Sequence, residues 1–433
     1  MATPSPTAAS TPRHVDPPAS RPGTLSRFRC AAIDLLHGHN RAALVIGPLD
    51  LPSRAVAADR IVRLARVGPH TRVGLLPSPH RREWVFDPDA AADSVVDASP
   101  PAPGTDPARL FDVLYSLPHR PLRIVLAGDH LALDYDHGLG DLTLLNLIVD
   151  VIVGAVDPST LPRRGPVLPP LLVASAITVA DPRRAVSLLR FQRHREPVEP
   201  PRTRRPVPPR RPVSANVHIA APAVDAIRAG RTSSMPGTGL FAIYTVALVA
   251  ALTEAGVRLD PMVTLPFDAR TYLPSAMRTY GNFSAGLSFP VDEATSAAAL
   301  QRAMTASARM GRPTANLALA TIKTLCRPRD DRGSASPAQH VPADGRVRAE
   351  LLHSSVGHLP GHERGWQWSD PARAAVIGVA TPPSATGITV TTGFVGGAVS
   401  MTAAFRDDVF DPARIRAAMD AVAGHAVRIV GVS

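Results

Sequence analysis

The sequence predicts an α/β chain built as two α+β sandwiches. Three observations carry that expectation. The chain has 433 residues, beyond the size at which one hydrophobic core stops growing. Stretches with strand and helix periodicity alternate in both halves. The composition also breaks between residues 190 and 211, where Arg190, Arg193, Arg195, Arg202, Arg204, Arg205, Arg210 and Arg211 are interleaved with prolines. Proline removes a backbone donor and like charges repel, so this stretch reads as an extended linker or surface crossover. The expected organisation is a Pro-rich disordered tail at 1–24, a first subdomain at 25–195, a linker at 196–213 and a second subdomain at 214–433.

Taken in order, residues 42–46 form a short apolar run of strand type. Residues 52–66 predict a helix, because Ala55, Ala58, Ile61, Val62 and Ala65 recur at spacings of three and four. Short strands are expected at 73–76 and 83–86. Asp106 followed by Pro107 marks a helix start running to about Leu117. Strands at 122–127 and 130–135 join through Gly128-Asp129, and the second runs into Asp136-His137-Gly138-Leu139-Gly140-Asp141. A strongly apolar helix follows at 142–153. The second half restarts with a strand at 216–220 and a short helix at 224–229. A long apolar helix at 240–254 is expected to be buried on most sides. Strands follow at 262–266 and 285–289, and helices at 294–309 and 314–325. A polar loop covers 327–346. Late strands fall at 349–353, 374–379, 388–392 and 398–404, before a last helix at 412–429.

The net charge is +11, and the positive charge is arginine throughout except for Lys323. Such a surface attracts nucleic acid, anionic lipid, a phosphate-bearing cofactor or an acidic carrier protein. A coding bias toward Arg, Ala and Pro accounts for the charge equally well. Nucleic acid is disfavoured, since the arginine-rich stretch lacks interleaved aromatics and any helix-turn-helix or zinc pattern. Two isolated cysteines, Cys30 and Cys326, give neither a disulfide framework nor a thiolate metal site. His37 and His39, and His353, His358 and His362, lack acidic or thiolate partners and read as loop residues, not metal ligands. Trp366 and Trp368 either cover a cleft or pack a loop. The apolar stretches are too short or too interrupted to span a bilayer, and the first residues lack a signal-peptide core. The expected location is therefore the cytoplasm.

The chemistry concentrates at His137. A histidine at a strand end is aimed into a cleft, and Gly138 and Gly140 after it allow a tight turn and close substrate approach. Imidazole is a general base suited to neutral pH. Asp141, at the start of the next helix, braces the loop through an arginine or through backbone N–H groups. H-x-x-x-D alone describes a solvent-facing turn as well as it describes a catalytic loop.

The stretch from Pro121-Leu122-Arg123-Ile124-Val125-Leu126 through His130-Leu131-Ala132-Leu133-Asp134-Tyr135-Asp136-His137 to Asp141 resembles the core of condensation domains and related acyltransferases. Their motif is H-H-x-x-x-D-G, shortened to H-x-x-x-D in the chloramphenicol-acetyltransferase branch. Asp136 stands where the longer motif has its first histidine, and Leu142 where it has its glycine. Further landmarks follow in family order. Leu265-Pro266-Phe267-Asp268-Ala269-Arg270 resembles the strand ending in an arginine that pairs with the motif aspartate. Tyr280-Gly281-Asn282-Phe283 resembles the Gly-Asn segment near the tunnel, and Ser354-Ser355-Val356-Gly357 its Ser-Asn-x-Gly turn. Phe394-Val395-Gly396-Gly397-Ala398 and Val409-Phe410-Asp411-Pro412 resemble the C-terminal hairpin and last helix.

The resemblance implies two chloramphenicol-acetyltransferase-like subdomains in a V-shaped pseudo-dimer, with His137 at their interface. It implies acyl transfer from coenzyme A or a phosphopantetheinyl acyl or peptidyl carrier protein to an alcohol or amine. His137 is then the base, with Asp141, Arg270, Asp136 and Gly138 as support and Gly281, Asn282, Ser355 and Gly357 along the tunnel. No resident cofactor and no metal are expected; the thioester is a substrate. The departures at Asp136, Leu142 and Ser355 keep open a second expectation, a catalytically silent module that binds a carrier protein or partner enzyme.

Overall fold

The computed structural model describes residues 25–102, 104–193, 204–208, 210–326, 339–343, 347–359, 361 and 364–431. The expected tail at 1–24, His362 and most of the expected loop at 327–346 lie outside these residues. So does the part of the linker at 196–203.

The first half contains β1 (Ser26–Arg29), α1 (Ala32–Leu36), β2 (Arg41–Gly47), α2 (Arg54–Val67), β3 (Leu75–Leu76), β4 (Glu83–Phe86) and β5 (Val95–Asp97). It continues with α3 (Leu110–Ser116), β6 (Leu122–Ala127), β7 (His130–Asp136), α4 (Leu142–Val153), α5 (Pro170–Ala180) and α6 (Pro182–Arg193). The rest comprises β8 (Arg204–Val207), β9 (Val213–Ile219), α7 (Ala221–Ser234), α8 (Leu240–Glu254), β10 (Met262–Asp268), β11 (Ser284–Pro290), α9 (Ala297–Arg309) and α10 (Arg312–Cys326). The chain closes with β12 (Gln339–Pro342), β13 (Glu350–His358), β14 (Ala375–Ala380), β15 (Gly387–Val395), β16 (Ala398–Phe405) and α11 (Pro412–Val430).

Two large sheets organise these elements. The first has the order β14-β2-β7-β6-β5, antiparallel except for the parallel pair β5–β6. The second has the order β11-β10-β13-β15-β16-β9, with β13 parallel to both neighbours. Each sheet buries apolar faces against helices, the layer arrangement that the alternating pattern predicts. In the first half, α2 and α4 cover one face with Ile61, Leu64, Leu145 and Ile148, and α3 covers the other with Phe111 and Leu114. In the second half, α8 is buried along most of its length and packs on α11, which lies against β9 and β16.

Sheet membership departs from the order of the sequence. The strand pattern near 374–379 is real, but β14 pairs with β2 and forms the edge of the first sheet. A period-2 pattern identifies a strand and its buried face, not its partner. Trp366 and Trp368 precede β14 and lie in the core of the first half, with Trp366 donating to the Asp150 carboxylate at 2.7 Å. They are packing residues.

Helices α5 and α6 occupy ground that the sequence pattern left unassigned. The Pro-Pro start of α5 and the arginines of α6 resemble loop and linker composition, yet Pro170 sits at the first helical turn, where its missing N–H costs nothing. At 73–76 only Leu75 and Leu76 are extended.

Candidate active site

Side-chain alternation along β7 sets up the site. Leu131, Leu133 and Tyr135 point into the core beneath α2 and α4, whereas Ala132 faces the α3 side. Asp134 and Asp136 share the Ala132 parity. Asp134 is fully buried and accepts from Arg41 through two nitrogens, at 2.9 and 2.8 Å, and from Arg123. Asp136 joins the same cluster by pairing with Arg41. Burial pushes the Asp136 carboxyl up to about 6, with Asp134 adding to the rise and Arg41 opposing it.

His137 continues the opposite parity, and its ring lies 6.2 Å from that of Tyr135. Its main chain is held from both sides. Its N–H donates to the Asn40 carbonyl at 2.8 Å, and its carbonyl accepts from Asn282 Nδ2 at 2.8 Å. Asn282 thereby ties the histidine loop of the first half to the start of β11. The imidazole is half-buried and stacks on His37, with ring centres 4.8 Å apart and planes 20° apart. Its Nδ1 is buried and makes no hydrogen bond. Protein packed around His37 drives its pKa down to about 3, and the neighbouring His137 adds to the effect against Asp141. His37 is therefore an uncharged plate beside His137 at neutral pH.

Asp141 caps α4, its Oδ1 accepting from the Thr143 N–H at 3.1 Å. The same carboxylate takes both guanidinium ends of Arg270 at 2.9 Å each, the Phe283 N–H at 2.9 Å and the Ser284 hydroxyl at 3.2 Å. Arg270 in turn donates to the carbonyls of Thr279 and Gly281 and to Asp268. Every lone pair of Asp141 is engaged, so it fixes the loop and has no spare capacity for proton transfer. Gly140 is required here, because a Cβ at this position runs into the Tyr280 carbonyl. Leu142, next in the chain, is half-buried and packs on the core of the first half.

A second buried tie crosses the same junction. Asp34 is fully buried, and its carboxylate accepts from Arg72 at 2.8 Å, from the Ala31 N–H at 3.0 Å and from the Asn282 N–H at 3.3 Å. Arg72 adopts φ +70°, and its guanidinium occupies the space that a Cβ at Gly281 would need. Sequence reading missed Asp34, Arg72 and the role of His37. The available signal for Asp34 was a lone carboxylate in the apolar run Ala31–Leu36.

Beside this tie lies a cavity of about 580 Å³, walled by α1, α5, α10 and residues 278–283. Asp34, Arg72, Gly281 and Asn282 form part of its lining, and Leu171, Leu172 and Ile322 part of its apolar wall. Cys30 also lines it, and burial, with Asp34 beside it, pushes the thiol up to about 12. His137 is not among its lining residues.

Thus His137, Gly138, Asp141, Arg270, Gly281 and Asn282 come together at one junction. Asp136 faces away from it. Ser355 and Gly357 sit at a bulge in β13, where the Ser355 hydroxyl accepts from the Gly357 N–H at 3.0 Å. They lie outside the lining of the 580 Å³ cavity. His353 is fully buried between the hydroxyls of Thr245 and Thr392, at 2.9 and 2.7 Å, a structural role. No cluster of potential metal ligands occurs among the described residues.

No protein-family model and no curated protein matches the chain. Solved structures do. The chain is similar to TRI3 trichothecene 15-O-acetyltransferase from Fusarium sporotrichioides, at 11% identity and TM-score 0.61, over 95% of this chain and 97% of that one. It is similar to the condensation domain of the monacolin K polyketide synthase MokA, at 11% identity and TM-score 0.59, over 94% and 97%. A third likeness is to polyketide synthase associated protein 5 from Mycobacterium tuberculosis, at 13% identity and TM-score 0.55, over 94% and 97%. At these identities the likeness is one of architecture, and it extends over nearly the whole of each chain: this protein has the two-sheet α/β fold seen in that acetyltransferase and that condensation domain.

Proposed function

We infer that the protein is a condensation-like acyltransferase in specialised-metabolite biosynthesis. It moves an acyl group from a thioester, on coenzyme A or a carrier protein, to a hydroxyl or amine. The observation that carries this reading is the setting of His137. Its main chain is fixed from both halves of the molecule, while no hydrogen bond occupies Nδ1. A ring placed in this way is pre-positioned, and because Nδ1 is buried, Nε2 is the nitrogen left to take the acceptor's proton.

In the proposed reaction, the His137 imidazole takes the proton from the acceptor O–H or N–H as that atom attacks the thioester carbonyl. The tetrahedral species collapses with cleavage of the C–S bond. The imidazolium returns its proton to the departing sulfur, which restores the base. Asp141 supports the step by position alone, because Arg270 consumes its capacity. Asp136 and Leu142 do not hinder it: one pairs with Arg41 and the other packs on the core. No described helix is long and apolar enough to cross a membrane, and we place the reaction in the cytoplasm as part of the same reading.

The test is product formation by His137→Ala, followed by mass spectrometry with acyl-coenzyme A and acyl-carrier donors. Loss of about 10²–10⁴ in turnover with unchanged melting is expected for removal of a general base. Undiminished turnover sinks the reading. The alternative, a silent binding module, draws on the absence of His137 from the cavity lining. It requires that no donor be turned over by the wild type while carrier-protein binding survives in His137→Ala.

A further inference from the structure

Exposed apolar side chains crowd one face of this molecule. Of the sixteen large hydrophobic residues exposed among those described, ten lie on α5, α6, α10 and the loop entering α5. Val167, Leu172, Val179 and Leu189 are 97, 62, 62 and 61% exposed. Single exposed leucines need no explanation, but a concentration of this kind marks a surface that is covered in use. α5 packs against both α6 and α10, which makes the three helices neighbours.

The charge of the same face is one-sided. Residues 158–192 contain Arg163, Arg164, Arg183, Arg184 and Arg190 but a single carboxylate, Asp181, which pairs with Arg184 at 3.4 Å. α10 adds Arg312 and Lys323 and carries no carboxylate. The protruding residues are aliphatic, without the tyrosines and tryptophans that anchor protein interfaces. Aliphatic side chains ringed by arginine are instead the pattern of a face that lies in the headgroup region of a bilayer. The cavity supports this choice of partner. Val167, Leu172, Ile322 and Leu325 are exposed and also line it, so its mouth opens on this face.

We propose that the α5–α6–α10 face docks on an anionic lipid surface. Its aliphatic residues enter the headgroup boundary, Arg163, Arg164 and Arg183 meet lipid phosphates, and the cavity mouth opens toward the bilayer as a berth for an alkyl chain. This docking is independent of the acyl-transfer reading.

The experiment is co-sedimentation of the full chain with vesicles of phosphatidylcholine alone and of equimolar phosphatidylcholine and phosphatidylglycerol. The wild type binds the anionic vesicles at least about tenfold more tightly, and binding weakens with salt. Arg163→Gln with Arg164→Gln lowers affinity about thirtyfold. Val186→Glu with Leu189→Glu, two α6 positions outside the cavity lining, abolishes binding while melting stays within a few degrees. His137→Ala binds vesicles as the wild type does, which separates this test from that of catalysis. Equal binding to both vesicle types, no binding, or wild-type binding by the α6 variant overturns the proposal. So does light scattering that shows a wild-type dimer, with no vesicle binding, converted to monomer by the α6 substitutions; the face then covers a second copy of this chain.

Discussion

Asp141 and Arg270 meet through both carboxylate oxygens and both terminal guanidinium nitrogens, at 2.9 Å each, across the junction of the two halves. The side chains are only 9% and 16% exposed. Removing one partner of such a pair leaves the other charge buried without compensation. Asp141→Ala is expected to cost about 3–5 kcal/mol of stability, part of it from the lost cap on α4. Urea unfolding checks this. A midpoint equal to that of the wild type contradicts the bracing role.

Asp136 is predicted to be a stability residue with no part in turnover. Its folded pKa, about 6, lies above the ordinary 3.8. The ionised form is therefore penalised in the folded state. The penalty is fully present above about pH 6 and fades as pH falls toward 3.8. Asp136→Asn should gain on the wild type by roughly 1–3 kcal/mol between about pH 4 and pH 7, with turnover changed by no more than a few-fold. Stability curves against pH for the two proteins decide the matter.

His353 has the opposite sign. Burial lowers its pKa from 6.5 to about 3, so the unfolded chain binds an extra proton between those values. Its contribution is whole above about pH 6.5 and is lost as pH falls toward 3. At about 1.4 kcal/mol per unit, the loss amounts to roughly 5 kcal/mol. His353→Leu lowers stability at neutral pH, because Thr245 and Thr392 lose their partner, but flattens this acid limb by about one proton. An unchanged acid slope in calorimetry rules the assignment out.

His37 is expected to matter through its shape and its neutrality. His37→Phe keeps a flat ring against His137 and should retain turnover within about tenfold, with the pH dependence between pH 5 and 8 unchanged. His37→Lys places a fixed charge beside the imidazole and should move the acid limb of kcat/KM. Identical pH profiles for the wild type and the lysine variant argue against electrostatic contact between the rings.

Gly140 tolerates no side chain, since its Cβ direction is blocked by the Tyr280 carbonyl. Gly140→Ala should cost about 1–3 kcal/mol and lower turnover with it, because the segment displaced leads into Asn282. Thermal melting alongside activity reads both effects.

The sequence showed β7, the histidine loop and α4 clearly, because a strand period, two glycines and an apolar helix occur within a short window. Arg270 and Gly281-Asn282 stood out as residues of special type at strand ends. Three things were hidden, each for a physical reason. His37 and His137 are distant in the chain, and nothing local announces that two imidazoles stack. Arg72 acts through a left-handed backbone that its residue type does not advertise. α5 and α6 begin at prolines and carry exposed leucines, so their outward face blurs the helical period. In the proposed docking, that blurring is itself the mark of a face solvated by something other than water.

The return of β14 to the first sheet has a consequence for how this protein is made. Its strand partner, β2, ends at Gly47, so the two are made far apart in time: β14 begins only at Ala375. Until then the first sheet presents an open edge of unpaired N–H and C=O groups along Arg41–Gly47. The nascent chain must guard that edge until β14 has been made. A gene cut between the two halves would yield an amino-terminal fragment that is sticky along this strand, not an independent module.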